Sequence, residues 1–285
     1  MIPFEKRKNQ LEKTKKSVLV YLLIAFALST VCYVIWIRAG KAGDGMSPIL
    51  MCCPAAVALT VRGIFYRGEK LLGWNPCKFS FLLAGIMIPV LYLGVSYGIY
   101  WLVSGSSRIG TLNPIAAVVA TYTTHSHAGF IVVLIFILVS LFTAAGEEVG
   151  WRGFLLPQLA KLRGETAAIV ITGLIWGIWH MPLIIAGLYL PGISLWFKLP
   201  MFLLQTVSMT AILGILRLRS GSVWPAVLVH ASHNFFDQVI CQPLTNSASS
   251  MYFVGETGIL TLLAMILSAA AAKKFFSPKT TVDPA

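Results

Sequence analysis

Two adjacent glutamates, Glu147 and Glu148, interrupt an apolar run. Residues 130–146 read FIVVLIFILVSLFTAAG without an ionisable group; Glu-Glu-Val-Gly-Trp-Arg follows at 147–152, and the chain then returns to Phe154-Leu155-Leu156. An acid at the centre of a membrane helix costs roughly 2.5–3.5 kcal/mol on insertion scales, so two in succession mark a functional-site candidate. Two other apolar runs carry groups of chemical use. One holds Trp176, Trp179, His180 and Pro182; the other holds His230, His233, Asn234 and Asp237. Buried carboxylates and imidazoles together serve general acid–base catalysis, bind a divalent metal or build a proton relay.

Spacing organises these groups. Glu148 and Arg152 stand four residues apart, so on a helix they share a face and can pair. Glu147 then points about 100° away and is left for other work. His230 and Asn234 are also four apart and face one cavity, as are His233 and Asp237. Pro182 has no N–H to donate and disturbs the turn that holds His180. Glu147 lies 14 residues before Lys161, His180 lies 14 after Thr166, and His230 lies 11 after Arg219. In upright helices these are depths of roughly 21, 21 and 16 Å, one common level. Trp176 and Trp179 read as packing or belt aromatics, and His125 and His127 as solvated loop residues.

The elements that must position these residues are membrane helices. The chain has 285 residues, 57% hydrophobic and only 11% charged, where a soluble domain carries about 25% charged residues. Its net charge of +12 is not accompanied by any motif for nucleic acid. The fold class expected is all-α integral membrane, with about eight transmembrane helices near residues 17–37, 47–62, 79–103, 128–152, 166–188, 195–216, 222–242 and 255–272. The chemical motifs then fall on the fourth, fifth and seventh. Residues 1–16 form a basic cytoplasmic segment, 17–276 one polytopic domain and 277–285 a cytoplasmic tail. With both termini in the cytoplasm, 18 of the 22 lysines and arginines lie inside; Arg38, Lys41, Arg108 and Lys198 lie outside, as the positive-inside rule requires. The bacterial plasma membrane is the expected location. Cys32, Cys52, Cys53, Cys77 and Cys241 show no zinc spacing. A disulfide from Cys52 or Cys53 to Cys241 is open, and otherwise they read as small hydrophobes.

EExxxR (Glu147 to Arg152), an aromatic-xxx-His (Trp176 to His180) and HxxxN (His230 to Asn234) occur in order on separate spans, within about residues 130–240. This set resembles the CPBP family of intramembrane proteases, which includes type II CAAX prenyl endopeptidases and bacteriocin-processing or immunity proteins. Trp176 stands where that family usually has Phe. The resemblance implies peptide-bond hydrolysis by an activated water. Glu147 would be the general base, and His180 would hold the water or relay its proton. His230 and Asn234 would stabilise the oxyanion, with Glu148 and Arg152 in support. No cofactor is expected. The competing mechanism places zinc on Glu147, His180 and His230. The substrate would be a membrane-associated protein or peptide, prenylated or a leader peptide, reached from the cytoplasm because the nearer charged loops lie there. The rival class is a non-catalytic membrane protein, an immunity factor or a proton-coupled transporter; no internal repeat speaks for transport.

Overall fold

The computed structural model describes residues 4–105, 129–245 and 249–277; Arg108, His125, His127 and Lys279 lie outside them. The described elements are helical. Helix α1 (Phe4–Ala39) carries the basic N-terminal residues as its first turns, with no break where the apolar run begins. A 3₁₀ turn, Gly40–Met46, leads into α2 (Ser47–Phe65). Pro48 sits in the first turn of α2, where its missing N–H has no cost, and Pro54 lies inside it. Then come α3 (Phe79–Ser104) and α4 (Gly129–Glu148). A π-helical segment, Val149–Leu155, joins α4 to α5 (Leu156–Arg163). They are followed by α6 (Glu165–Ile185), α7 (Leu195–Ser220), α8 (Trp224–Asn234) with a π-helical extension Phe235–Cys241, and α9 (Ile259–Phe275).

Five stretches among the described residues are long and apolar enough to cross a membrane: Glu5–Phe65, Phe79–Ser104, Ile131–Arg163, Glu165–Ile185 and Leu195–Ser220. The first contains both α1 and α2, whereas α8 and α9 have only 11 and 17 residues. Large apolar side chains such as Leu23, Ile64, Leu91, Phe142 and Leu267 face outward, as a lipid-facing surface requires.

Antiparallel helices give the bundle two ends. At one, Lys13 pairs with Glu69, the Val223 amide bonds Gly73 O, and Arg219 pairs with Glu165. This end collects the basic residues of the 66–78 loop, of α5 and of the last turns of α7 and α9. At the other end, Trp101 bonds Thr245, Tyr189 bonds Glu256, and Trp36 bonds Asp44. Helix α4 packs on α2 and α8, α8 on α3 and α7, and α7 on α6. Glycine sets how closely α4 approaches α2. A Cβ at Gly146 would lie 2.7 Å from Met51 O, and one at Gly150 would lie 2.5 Å from Pro54 Cβ. Small residues four apart allow this close packing and so fix the register of the two glutamates that they flank.

Candidate active site

Glu147 and Glu148, at the end of α4, are both fully buried and do different work. Glu148 Oε1 accepts from Arg152 Nη1 at 2.8 Å and from His230 Nδ1 at 2.8 Å. The expected pair with Arg152 is present, and it is wider than expected. Arg152 Nη2 also donates to Thr210 Oγ1 at 2.6 Å, and the guanidinium lies over the Trp176 ring, 4.3 Å from its centroid. Arg152 therefore joins the π-helical segment to α6 and α7, with no exposed surface of its own. In a site that excludes water such charge-assisted bonds are strong and geometrically specific.

Glu147 Oε2 accepts from Trp176 Nε1 at 2.5 Å, while Oε1 has no protein partner. Trp176 is thus more than an aromatic wall: it orients one oxygen of the carboxylate and leaves the other without a partner among the described residues. Its ring also lies 5.6 Å from that of His180 and 5.4 Å from that of His230, between centroids. One side chain holds three of the candidate residues in mutual register. Phenylalanine would preserve those contacts and lose the N–H.

His180 sits in the turn before Pro182, inside α6. Its Nδ1 lies 2.9 Å from Trp176 O. A carbonyl only accepts, so Nδ1 carries the hydrogen, and in the neutral ring Nε2 keeps its lone pair. The carbonyl of Trp179 accepts from Tyr33 Oη. These bonds use carbonyls of the turn that precedes the proline. In His230 likewise, Nδ1 is the donor to the Glu148 carboxylate, and Nε2 remains for other use. Asn234 follows one turn later, at the junction with the π-helical extension. π-Helical turns occur often at functional sites; here one follows Glu148 and another follows Asn234.

Glu147, His180, His230 and Asn234 line one cavity of about 440 Å³. The structure thus brings the four together, while Glu148 and Arg152 stand behind the wall. The cavity extends from these residues away from the basic loops. Its other walls come from Trp36, Asp44, Ser47 and Pro48, from Phe136 and Ser140, from Tyr189 and Phe202, and from Gln238 and Glu256. All belong to the opposite end of the bundle. Packing on the basic side of these residues is close. Residues 149–156 are buried throughout, Leu72 is fully buried, and Arg217 Nε donates to Arg152 O at 3.0 Å.

A second polar cluster adjoins the same space, which His233 and Glu256 line. Ligand atoms of His233, Asp237 and Glu256 lie within 4.8 Å of one another; among the described residues this is the group with metal-ligand geometry, and Glu147, His180 and His230 do not form one. Tyr97 and Gln242 donate to Asp237, and Tyr189 and Gln238 donate to Glu256. Burial raises the Tyr189 phenol well above its ordinary value, so it stays protonated as a donor. His233 Nδ1 lies 2.8 Å from Tyr92 Oη. The pair of His233 and Asp237 read from their spacing is therefore divided between two tyrosines of α3. Lys198, counted on the outside by sequence, is buried and caps Leu190 O at 2.9 Å. All five cysteines are free, and Cys53 faces Cys32 at 3.8 Å between sulfurs, not Cys241.

Sequence reasoning missed Thr210, Gln205 and Glu256. A polar residue within an apolar span was the available signal for Thr210 and Gln205. Nothing in the spacing of Glu256 marks it, because its place depends on the fold of the 249–258 connection.

Residues 129–236 match the family model described as type II CAAX prenyl endopeptidase Rce1-like. A protein of Methanococcus maripaludis named CAAX prenyl protease 2 is 29% identical over 141 residues, which are 48% of this chain and 49% of that protein. The chain therefore spans about half the length of the curated relative it matches. The matched region contains every motif residue from Glu147 to Asn234.

Proposed function

We propose that this chain, which belongs to the CPBP family through its Rce1-like region at residues 129–236, is an intramembrane endopeptidase acting on a membrane-associated protein or peptide. One observation carries the reading. Glu147 has one oxygen held by Trp176 and the other without a protein partner, in a cavity shared with His180, His230 and Asn234. In this reading Glu147 takes a proton from water, and the hydroxide adds to the scissile carbonyl. The Nε2 lone pair of His180 orients that water. Oxyanion charge is met by Nε2–H of His230 and the carboxamide of Asn234. For His230 to donate from both nitrogens its ring must carry both protons, a state for which Glu148 is the counter-ion. The proton held by Glu147 or His180 then passes to the departing amine. Bond cleavage and proton transfer balance without a cofactor.

The finer architecture belongs to the same proposal: eight spans with α8 and α9 as the seventh and eighth, a basic segment at 1–16, a tail at 277–285, both termini cytoplasmic, in a bacterial plasma membrane. Whether the substrate is prenylated or a leader peptide is a question for substrate panels. The test is cleavage of a labelled peptide by purified protein in detergent, beside Glu147→Gln. Loss of a general base typically costs about 10²–10⁴-fold. Full activity of Glu147→Gln at matched expression removes Glu147 from the chemistry. Absence of any cleavage across a broad peptide library favours the non-catalytic reading, an immunity factor or a transporter.

A further inference from the structure

Two thiols outside the candidate site face each other. Cys32 on α1 and Cys53 on α2 are buried, with their sulfurs 3.8 Å apart. Cys53 directs its own hydrogen to Ile49 O at 3.4 Å, so its sulfur receives that of Cys32. A groove of about 400 Å³ runs past them between α1, α2 and α4. Its walls at Leu28, Ile49 and Phe142 belong to the outward apolar surface. Among the described residues no ionisable side chain lines it except Cys32, Cys52 and Cys53. Exchange with a water-borne disulfide needs an accessible thiolate, which such a groove disfavours. An apolar oxidant dissolved in lipid meets no such barrier.

The pair also links the supports of two candidate residues. On α1, Ser29, Cys32, Tyr33 and Trp36 share one face by their spacing. Ser29 Oγ accepts from Trp179 Nε1 at 2.8 Å, and Tyr33 Oη donates to Trp179 O, one residue before His180. On α2, Cys53 lies between Cys52 and Pro54. A Cβ at Gly146 would be 3.0 Å from Cys52 Sγ, and one at Gly150 would be 2.5 Å from Pro54 Cβ. Helix α1 therefore braces the turn of His180, and α2 sets the register of Glu147.

We infer that Cys32 and Cys53 are an oxidisable pair, which a lipid-soluble two-electron oxidant of the quinone class joins as a disulfide that clamps α1 to α2 and slows the site. Two S–H bonds break and one S–S bond forms. The two protons and two electrons pass to the carbonyl oxygens of the quinone, which leaves as the quinol. A thiol reductant reverses the step. The pairing is independent of the endopeptidase reading; the effect on rate rests on it. Closing the gap between the sulfurs to bonding distance moves one helix against the other. A misplacement of about 1 Å costs up to about 10²-fold in rate, and side-chain rotation absorbs part of the movement, so about a tenfold loss of kcat is expected.

The experiment uses wild-type protein in phospholipid vesicles, treated with tetramethylbenzoquinone, whose fully substituted ring leaves no position for a thiol to add. Free thiols are then capped with maleimide under denaturing conditions and mapped by mass spectrometry. Two of the five cysteines should escape capping, in a bridged Cys32–Cys53 peptide, and dithiothreitol should restore both. Cys52→Ala should cross-link as wild type does. Oxidised glutathione, run in parallel, should leave Cys32 and Cys53 fully capped. Complete capping of both after quinone treatment overturns the inference. So does a bridge from Cys32 to Cys52, or a glutathione adduct on either sulfur. The labelled-peptide assay on the same preparations should show kcat about tenfold lower after cross-linking, restored by dithiothreitol. An unchanged kcat in fully cross-linked protein refutes the clamp. Cross-linking as expected, with no cleavage by the reduced protein, sinks the endopeptidase reading and leaves the thiol pair standing.

Discussion

Arg152→Ala should destabilise the protein before it affects any chemistry. The guanidinium is fully buried, bonds Glu148 at 2.8 Å and Thr210 at 2.6 Å, and stacks on Trp176 at 4.3 Å. Removing one partner of a buried pair costs roughly 3–5 kcal/mol, because the other charge is left uncompensated. The bond to Thr210 adds about 1.5–3 kcal/mol as a charge-assisted contact. Against this, His230 remains 2.8 Å from Glu148 and softens the loss, so a net cost of about 3–5 kcal/mol is the reasoned value. At roughly 2–4 °C per kcal/mol for a chain of this order of size, thermal unfolding in detergent should shift down by about 6–20 °C. Thr210→Val isolates one bond and should cost about 1.5–3 kcal/mol. Arg152→Lys should be intermediate, since a single ammonium cannot reproduce the planar fork that serves Glu148, Thr210 and the ring together. The assay is the unfolding midpoint of purified variants at matched detergent and protein concentration. If Arg152→Ala unfolds at the wild-type temperature but is inactive, Arg152 acts on the reactant and the supporting role is wrong.

Three further outcomes are expected. Trp176→Phe keeps the ring but removes the N–H that holds Glu147. A hydrogen bond to a charged group is worth roughly 1.5–3 kcal/mol, so kcat for peptide cleavage should fall about tenfold or more with KM little changed; an unaltered kcat would show that the indole N–H does not orient the base. Gly150→Ala pushes a methyl to 2.5 Å from Pro54 Cβ and 2.6 Å from Tyr21 Oη; overpacking of this kind costs about 1–3 kcal/mol, and a thermal midpoint equal to wild type would mean that α2 yields freely. Activity should survive exhaustive chelation, and elemental analysis should find no stoichiometric zinc; loss of activity with rescue by added metal would replace the glutamate-only mechanism by a metal-bound water.

Much was legible from the sequence because the relevant physics is local. Charge is so costly in hydrocarbon that Glu147, Glu148, His180, His230 and Asp237 stand out from apolar runs without any structure. The spacing from Glu148 to Arg152 predicts an ion pair because both lie on one helix, and the pair forms across the start of a π-helical segment. The motif order, together with composition, pointed to the family resemblance and to an all-helical membrane protein. What the sequence left open involves contacts between helices. Whether Glu147 is solitary depended on Trp176, 29 residues away. The second partner of Glu148 is His230, 82 residues away, and that of Arg152 is Thr210, 58 residues away. No periodicity specifies such pairs, since they follow from how α4, α6, α7 and α8 rotate against one another. That rotation is set by contacts such as Gly146 and Gly150 on α2. The surroundings of the arginines were decided the same way. Arg152 and Arg217 are basic residues that the sequence counts with the charged loops. Only the tertiary structure buries them, through bonds to carbonyl and carboxylate oxygens that no local spacing could assign to Arg217.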